Sequence, residues 1–120
     1  MKTATICYIE IPAPDVEKAG AFYSTVFGWK ITPSDLTARS YWMFSTGENQ
    51  LMGGLTPDLR VQEAGVILYI KVDDILEKLK LIEKEGGLVV KGKSDIGGGY
   101  GYSAIFADPN GNQLGLWASQ

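Results

Sequence analysis

Asp15-Val-Glu-Lys-Ala-Gly-Ala-Phe-Tyr-Ser-Thr-Val-Phe-Gly28 and Asp74-Ile-Leu-Glu-Lys-Leu-Lys-Leu-Ile-Glu-Lys-Glu-Gly-Gly87 are the two stretches on which the fold turns. Each opens on an aspartate, which can cap the free N–H groups of a first helical turn. Each closes on glycine, the residue that most readily takes the left-handed conformation ending a helix. Between these limits Val16, Ala19, Phe22, Tyr23, Val26 and Phe27 fall at helical spacing, as do Ile75, Leu79 and Ile82. Since 74 minus 15 and 87 minus 28 both give 59, the helices stand at one fixed offset.

The flanking segments repeat in the same order. Residues 5–11 read as a strand ended by Pro12 and Pro14, and extended pieces follow the first helix at 29–32, 40–45 and 50–55. After a polar link through Pro57, Asp58 and Gly65 come a strand over 66–72, the second helix, and strands near 88–93, 102–107 and 113–118. Asn49-Gln50-Leu51 near the end of the first half recurs as Asn112-Gln113-Leu114 near the end of the second. The expectation is an α+β chain of two βαβββ modules, about 1–60 and 61–120, forming one domain. A repeat whose units each carry one apolar sheet face pairs those units to bury it, so the cleft between the copies is the expected place of action.

Composition narrows the chemistry. The chain has 120 residues, a net charge of −3 and scattered basic residues, which excludes the basic patch that nucleic acid or an anionic membrane needs. No apolar run reaches the ~18 residues of a membrane helix, and Met1-Lys-Thr-Ala-Thr-Ile-Cys7 carries no signal-peptide pattern. One cysteine permits no internal disulfide, which suits a reducing cytoplasm; alternation places Cys7 among buried strand residues as an inert thiol. The chain contains no histidine. Ser-His and Cys-His nucleophilic sites are thereby excluded, and the commonest transition-metal ligand is missing.

Two segments carry a family resemblance: Ile11-Pro-Ala-Pro-Asp15 running through Phe22-Tyr23 to Phe27-Gly28-Trp29, and Phe106-Ala-Asp108-Pro-Asn-Gly111-Asn-Gln-Leu-Gly-Leu-Trp117. Together they resemble the vicinal oxygen chelate superfamily (glyoxalase I, bleomycin-resistance proteins, extradiol dioxygenases), nearest its lactoylglutathione-lyase-related branch. That resemblance implies a cupped mixed sheet with helices on its convex side, often as a homodimer. It implies several chemistries, since one fold hosts many reactions. In plain structural terms Phe22, Tyr23 and Phe27 form the apolar helix face, and Asp108-Pro-Asn-Gly111 forms a turn.

Metal-dependent members take one ligand from the first and one from the last strand of each module. Carried onto this chain, those positions are Tyr8, Ile67, Met52 and Gly115. Isoleucine and glycine offer no lone pair, and methionine sulfur is soft, so no metal or other cofactor is expected. Strand alternation instead points Tyr8 and Glu10 into the cleft, with Ile67, Tyr69 and Lys71 from the second module and Gln113, Gly115 and Trp117 from the last strand. In 40–45 either Trp42 and Phe44 or Tyr41 and Met43 face it. The expected ligand-binding set is Tyr8, Glu10, Trp42, Met52, Tyr69, Lys71, Tyr100, Gln113 and Trp117. Apolar walls with few polar groups suit a small aromatic or cationic molecule, or burial against a second copy.

Ile96-Gly-Gly-Gly-Tyr100-Gly-Tyr102 lacks the helix and Lys-Ser/Thr pair of a phosphate cradle, leaving a lid carrying Tyr100 or a simple hairpin connection. The leading expectation is a metal-free, cytoplasmic small-molecule binder. The alternative is a lyase or isomerase using Glu10 as base with Tyr8 or Lys71 as acid.

Overall fold

The computed structural model describes residues 3–34, 40–48, 50–61 and 65–120. Asn49 of the repeated motif, part of the polar link at 62–64 and the first two residues of the chain lie outside them. The order is β1 (Tyr8–Pro12), α1 (Val16–Phe27), β2 (Lys30–Ser34), β3 (Tyr41–Ser45), β4 (Met52–Thr56), β5 (Tyr69–Lys71), α2 (Ile75–Lys84), β6 (Leu88–Asp95), β7 (Tyr102–Ala107) and β8 (Gln113–Ala118). The chain divides into two compact units, Met1–Arg60 and Val61–Gln120, each a βαβββ module. No helix among the described residues is long and apolar enough to cross a membrane.

In the first unit the sheet order is β1-β4-β3-β2, with β1 parallel to β4 and the other pairs antiparallel. The helix ends form as their residues require. Asp15 accepts from the Lys18 N–H at 3.0 Å, and Gly28 takes φ 70° while its N–H bonds the Ser24 carbonyl. Phe22, Tyr23 and Val26 are fully buried with Ile11, Phe44 and Leu55. Trp29 continues this core as an aromatic stack, 4.9 Å from the Tyr23 ring and 4.8 Å from the Phe44 ring.

The second unit repeats the plan with sheet order β5-β8-β7-β6. Asp74 accepts from the Glu77 N–H at 3.1 Å, and Ile75, Leu79 and Ile82 bury the stripe of α2. Phe106, Ala104, Leu114, Leu116 and Ala118 supply the buried sheet face. The turn at Asp108 is held by its own carboxylate, which accepts from the N–H groups of Asn110 and Asn112 and from the Asn112 side chain, each at 2.9 Å. Gly111 completes it at φ 96°.

Three strand expectations need correction. β1 starts at Tyr8 because its partner β4 starts opposite, at Met52; the residues before it have no ladder to join. Cys7 is accordingly exposed rather than buried, and Ile6 is 80% exposed. β5 is likewise short, Tyr69–Lys71 paired with Gly115–Trp117 of β8, and Val66 is 89% exposed instead of packed inward.

Candidate functional site

Residues directly opposite one another across a sheet share a face. In the first unit Tyr8 stands opposite Met52, Glu10 opposite Gly54, and Gly54 opposite Met43. Tyr41, two residues before Met43, therefore lies on the same face as Tyr8 and Glu10. The other face belongs to the helix: a methyl group at Gly20 of α1 would lie 2.9 Å from the Trp42 ring and 3.2 Å from Ile31. Trp42 and Phe44 thus pack under α1. The expected place of Trp42 in the ligand lining is corrected: its side chain is spent on the helix, and Tyr41 takes the open face.

The consequence is a connected polar cluster. The Tyr8 and Tyr41 hydroxyls are 2.7 Å apart, and the Tyr41 hydroxyl donates to Glu10 Oε2 at 2.8 Å. Tyr41 starts on β3 yet reaches β1 because β4 presents Gly54 between them. A Cβ there would collide with the Tyr41 hydroxyl and ring. The Tyr41 phenol holds its proton far more firmly than an ordinary tyrosine. Loss of surrounding water contributes most, followed by the hydrogen bonds to Tyr8 and Glu10. Tyr8 and Met52 remain 41% and 43% exposed on this face, so the cluster is open to a ligand.

In the second unit the corresponding helix-free face carries Tyr69, Lys71, Gln113, Gly115 and Trp117. The Tyr69 ring lies over Gly115, where a side chain would collide with it. Lys71 Nζ sits 5.9 Å from the centre of the Trp117 ring. The Trp117 indole N–H donates to the Tyr100 carbonyl at 2.8 Å, pinning the loop between β6 and β7. That loop is a hairpin tip: Gly97, Gly98, Gly99 and Gly101 all take positive φ, and the Ile96 N–H bonds the Gly101 carbonyl. Tyr100 itself is 72% exposed.

The register also revises how the modules correspond. The repeated Asn-Gln-Leu motif equates Met52 with Gly115. Met52 stands opposite Tyr8, seven residues before its helix cap, but Gly115 stands opposite Tyr69, five residues before its own. Ile67 is therefore not across from Gly115; by the ladder Tyr69 stands where Tyr8 does, and Lys71 where Glu10 does. The donor set does not fit a divalent metal: a phenol and a thioether face each other in the first unit, and a tyrosine ring covers a glycine in the second. No group of three or more His, Cys, Asp or Glu side chains able to hold a metal occurs among the described residues.

A family profile for the Glyoxalase/Bleomycin resistance protein/Dioxygenase superfamily matches residues 5–116, and the chain belongs to that superfamily. A glyoxylase-like domain-containing protein of Didymella fabae is 32% identical over 109 residues, covering 87% of this chain and 85% of that protein. The anthracycline biosynthesis protein DnrV of Streptomyces peucetius is 30% identical over 92% of this chain, which spans only 45% of DnrV. Among solved structures, TnmS3, an antibiotic binding protein from Streptomyces sp. CB03234, superposes with a TM-score of 0.76 at 21% identity, covering 98% of each chain. That last likeness concerns the fold.

Proposed function

We propose that this protein binds a small, flat or cationic molecule without the help of a metal ion. The first unit offers Tyr8, Tyr41, Glu10 and Met52 on its helix-free sheet face; the second unit by itself offers Tyr69, Lys71, Gln113 and Trp117, with Tyr100 at the loop edge. The observation that carries this reading is the hydrogen-bonded Tyr8–Tyr41–Glu10 cluster on a sheet face that no helix covers. Aromatic rings offer broad contact at low entropic cost, and a few fixed polar groups orient what they hold. An antibiotic-binding relative in fold and an anthracycline-biosynthesis relative in sequence support a small-molecule ligand. The exposed single Cys7 suits a reducing cytoplasm.

Thermal shift against a panel of flat aromatic amines and neutral aromatics, with and without a chelator, tests the reading. A ligand at 100 times its Kd adds about 2.7 kcal/mol of stability. The expected result is stabilisation by panel members and a melting temperature unmoved by chelation. Stabilisation that appears only when a divalent metal is restored would overturn the metal-free reading.

The cluster favours a second reading as well, because its hydrogen bonds join a carboxylate to a solvent-facing phenol. Glu10 would take a proton from a carbon acid, and the Tyr8 hydroxyl, turned from Tyr41 toward the substrate, would steady the resulting oxyanion, giving an isomerase or lyase. Replacing Glu10 by Gln then abolishes turnover while the fold persists; undiminished turnover rules it out.

A further inference from the structure

Proton counting in the first-unit cluster limits what it can bind. A neutral phenol has one proton to give. Tyr41 gives its proton to Glu10 Oε2, so at the 2.7 Å contact with Tyr8 the Tyr41 oxygen can only accept. Tyr8 must be the donor there, and its proton is used inside the cluster too. The order of donation runs from Tyr8 to Tyr41 to Glu10. What remains outward is the lone pairs of the Tyr8 oxygen and the second carboxylate oxygen of Glu10, for which no donor is found among the described residues. The raised proton affinity of Tyr41 keeps this order in place across the neutral range.

We infer that the Tyr8–Tyr41–Glu10 cluster is a donor-selective site that recognises a protonated amine carried on an apolar, flat body. This deepens the small-molecule-binding reading and rests on it. An ammonium group supplies two or three N–H donors, matching one carboxylate oxygen and one phenol oxygen on the same strand face. The exposed Tyr8 ring and the Met52 side chain opposite it offer apolar contact beside those acceptors. A carboxylate or phosphate meets only lone pairs and a like charge. A neutral hydroxyl can donate to one acceptor, without charge assistance.

Three probes of one shape separate these cases: naphthylmethylamine in its protonated form, naphthalenemethanol and naphthoate, titrated by calorimetry at neutral pH. The ammonium is expected to bind roughly tenfold tighter than the alcohol or better, with naphthoate weakest. Glu10→Gln turns an outward acceptor into an amide that can donate, so the ammonium preference should vanish. Tyr41→Phe releases the Tyr8 proton for outward donation, so the gap between alcohol and ammonium should narrow while the melting curve stays cooperative. Equal affinities for all three probes, or an ammonium preference that survives Glu10→Gln, would overturn donor selectivity and leave small-molecule binding standing. Failure of every probe to bind would remove both.

Discussion

A methyl group at Gly54 would occupy the space that the Tyr41 phenol fills, and the open-face cluster depends on that one missing side chain. Gly54→Ala should therefore cost about 1–3 kcal/mol, the usual range for forcing atoms into filled space, and should release Glu10 from Tyr41. Urea unfolding measures the first effect; the amine preference of the probe series measures the second. A variant with wild-type stability and preference would show that Tyr41 does not need the glycine. Tyr41 also sets a pH dependence whose sign follows from its raised proton affinity. Its neutral form is favoured by folding, so its contribution to stability is intact below the ordinary tyrosine pKa of 10.0 and is lost as pH rises past that value. Unfolding midpoints in alkaline buffers should fall more steeply for the wild type than for Tyr41→Phe; parallel curves would refute the assignment.

At the scale of single elements, the capping aspartates and the turn at Asp108 make different demands. Asp15 and Asp74 each satisfy one main-chain donor at a solvent-facing helix start, so Asp15→Ala or Asp74→Ala should cost about 1 kcal/mol. Asp108 is buried and accepts from the Asn110 and Asn112 N–H groups and the Asn112 side chain, so Asp108→Ala strands several donors and should cost about 2–3 kcal/mol. Chemical denaturation of the three variants checks the ranking, and equal losses would contradict it. These elements were readable because their signals are local. A cap, a following apolar stripe and a closing glycine lie within one helix, and β7 and β8 occupy the ranges that alternation and turn residues mark out. The start of β1 was not readable, since that strand begins where its ladder partner β4 begins, and the partner lies over forty residues away in sequence.

At the scale of the whole chain, two βαβββ units and superfamily membership give a scaffold whose reactions vary with what lines its sheets. The 59-residue offset between helix caps, the lack of histidine and the four unsuited ligand positions are properties of the sequence alone. The offset established the repeat and the fold class, because spacing survives in one dimension; the missing histidine and the positions carried over from the family set the expectation of a metal-free site. Tertiary structure decided which residues meet. It turned Trp42 under α1, moved Tyr41 across Gly54 onto the open face, and slipped the second module's register so that Tyr69 covers Gly115. Side-chain parity in β3 is fixed by what the neighbouring strand and helix leave room for, and no local pattern records that. The direction of the Tyr8, Tyr41 and Glu10 hydrogen bonds, and with it the choice of ligand, exists only once the three side chains are brought within reach of each other.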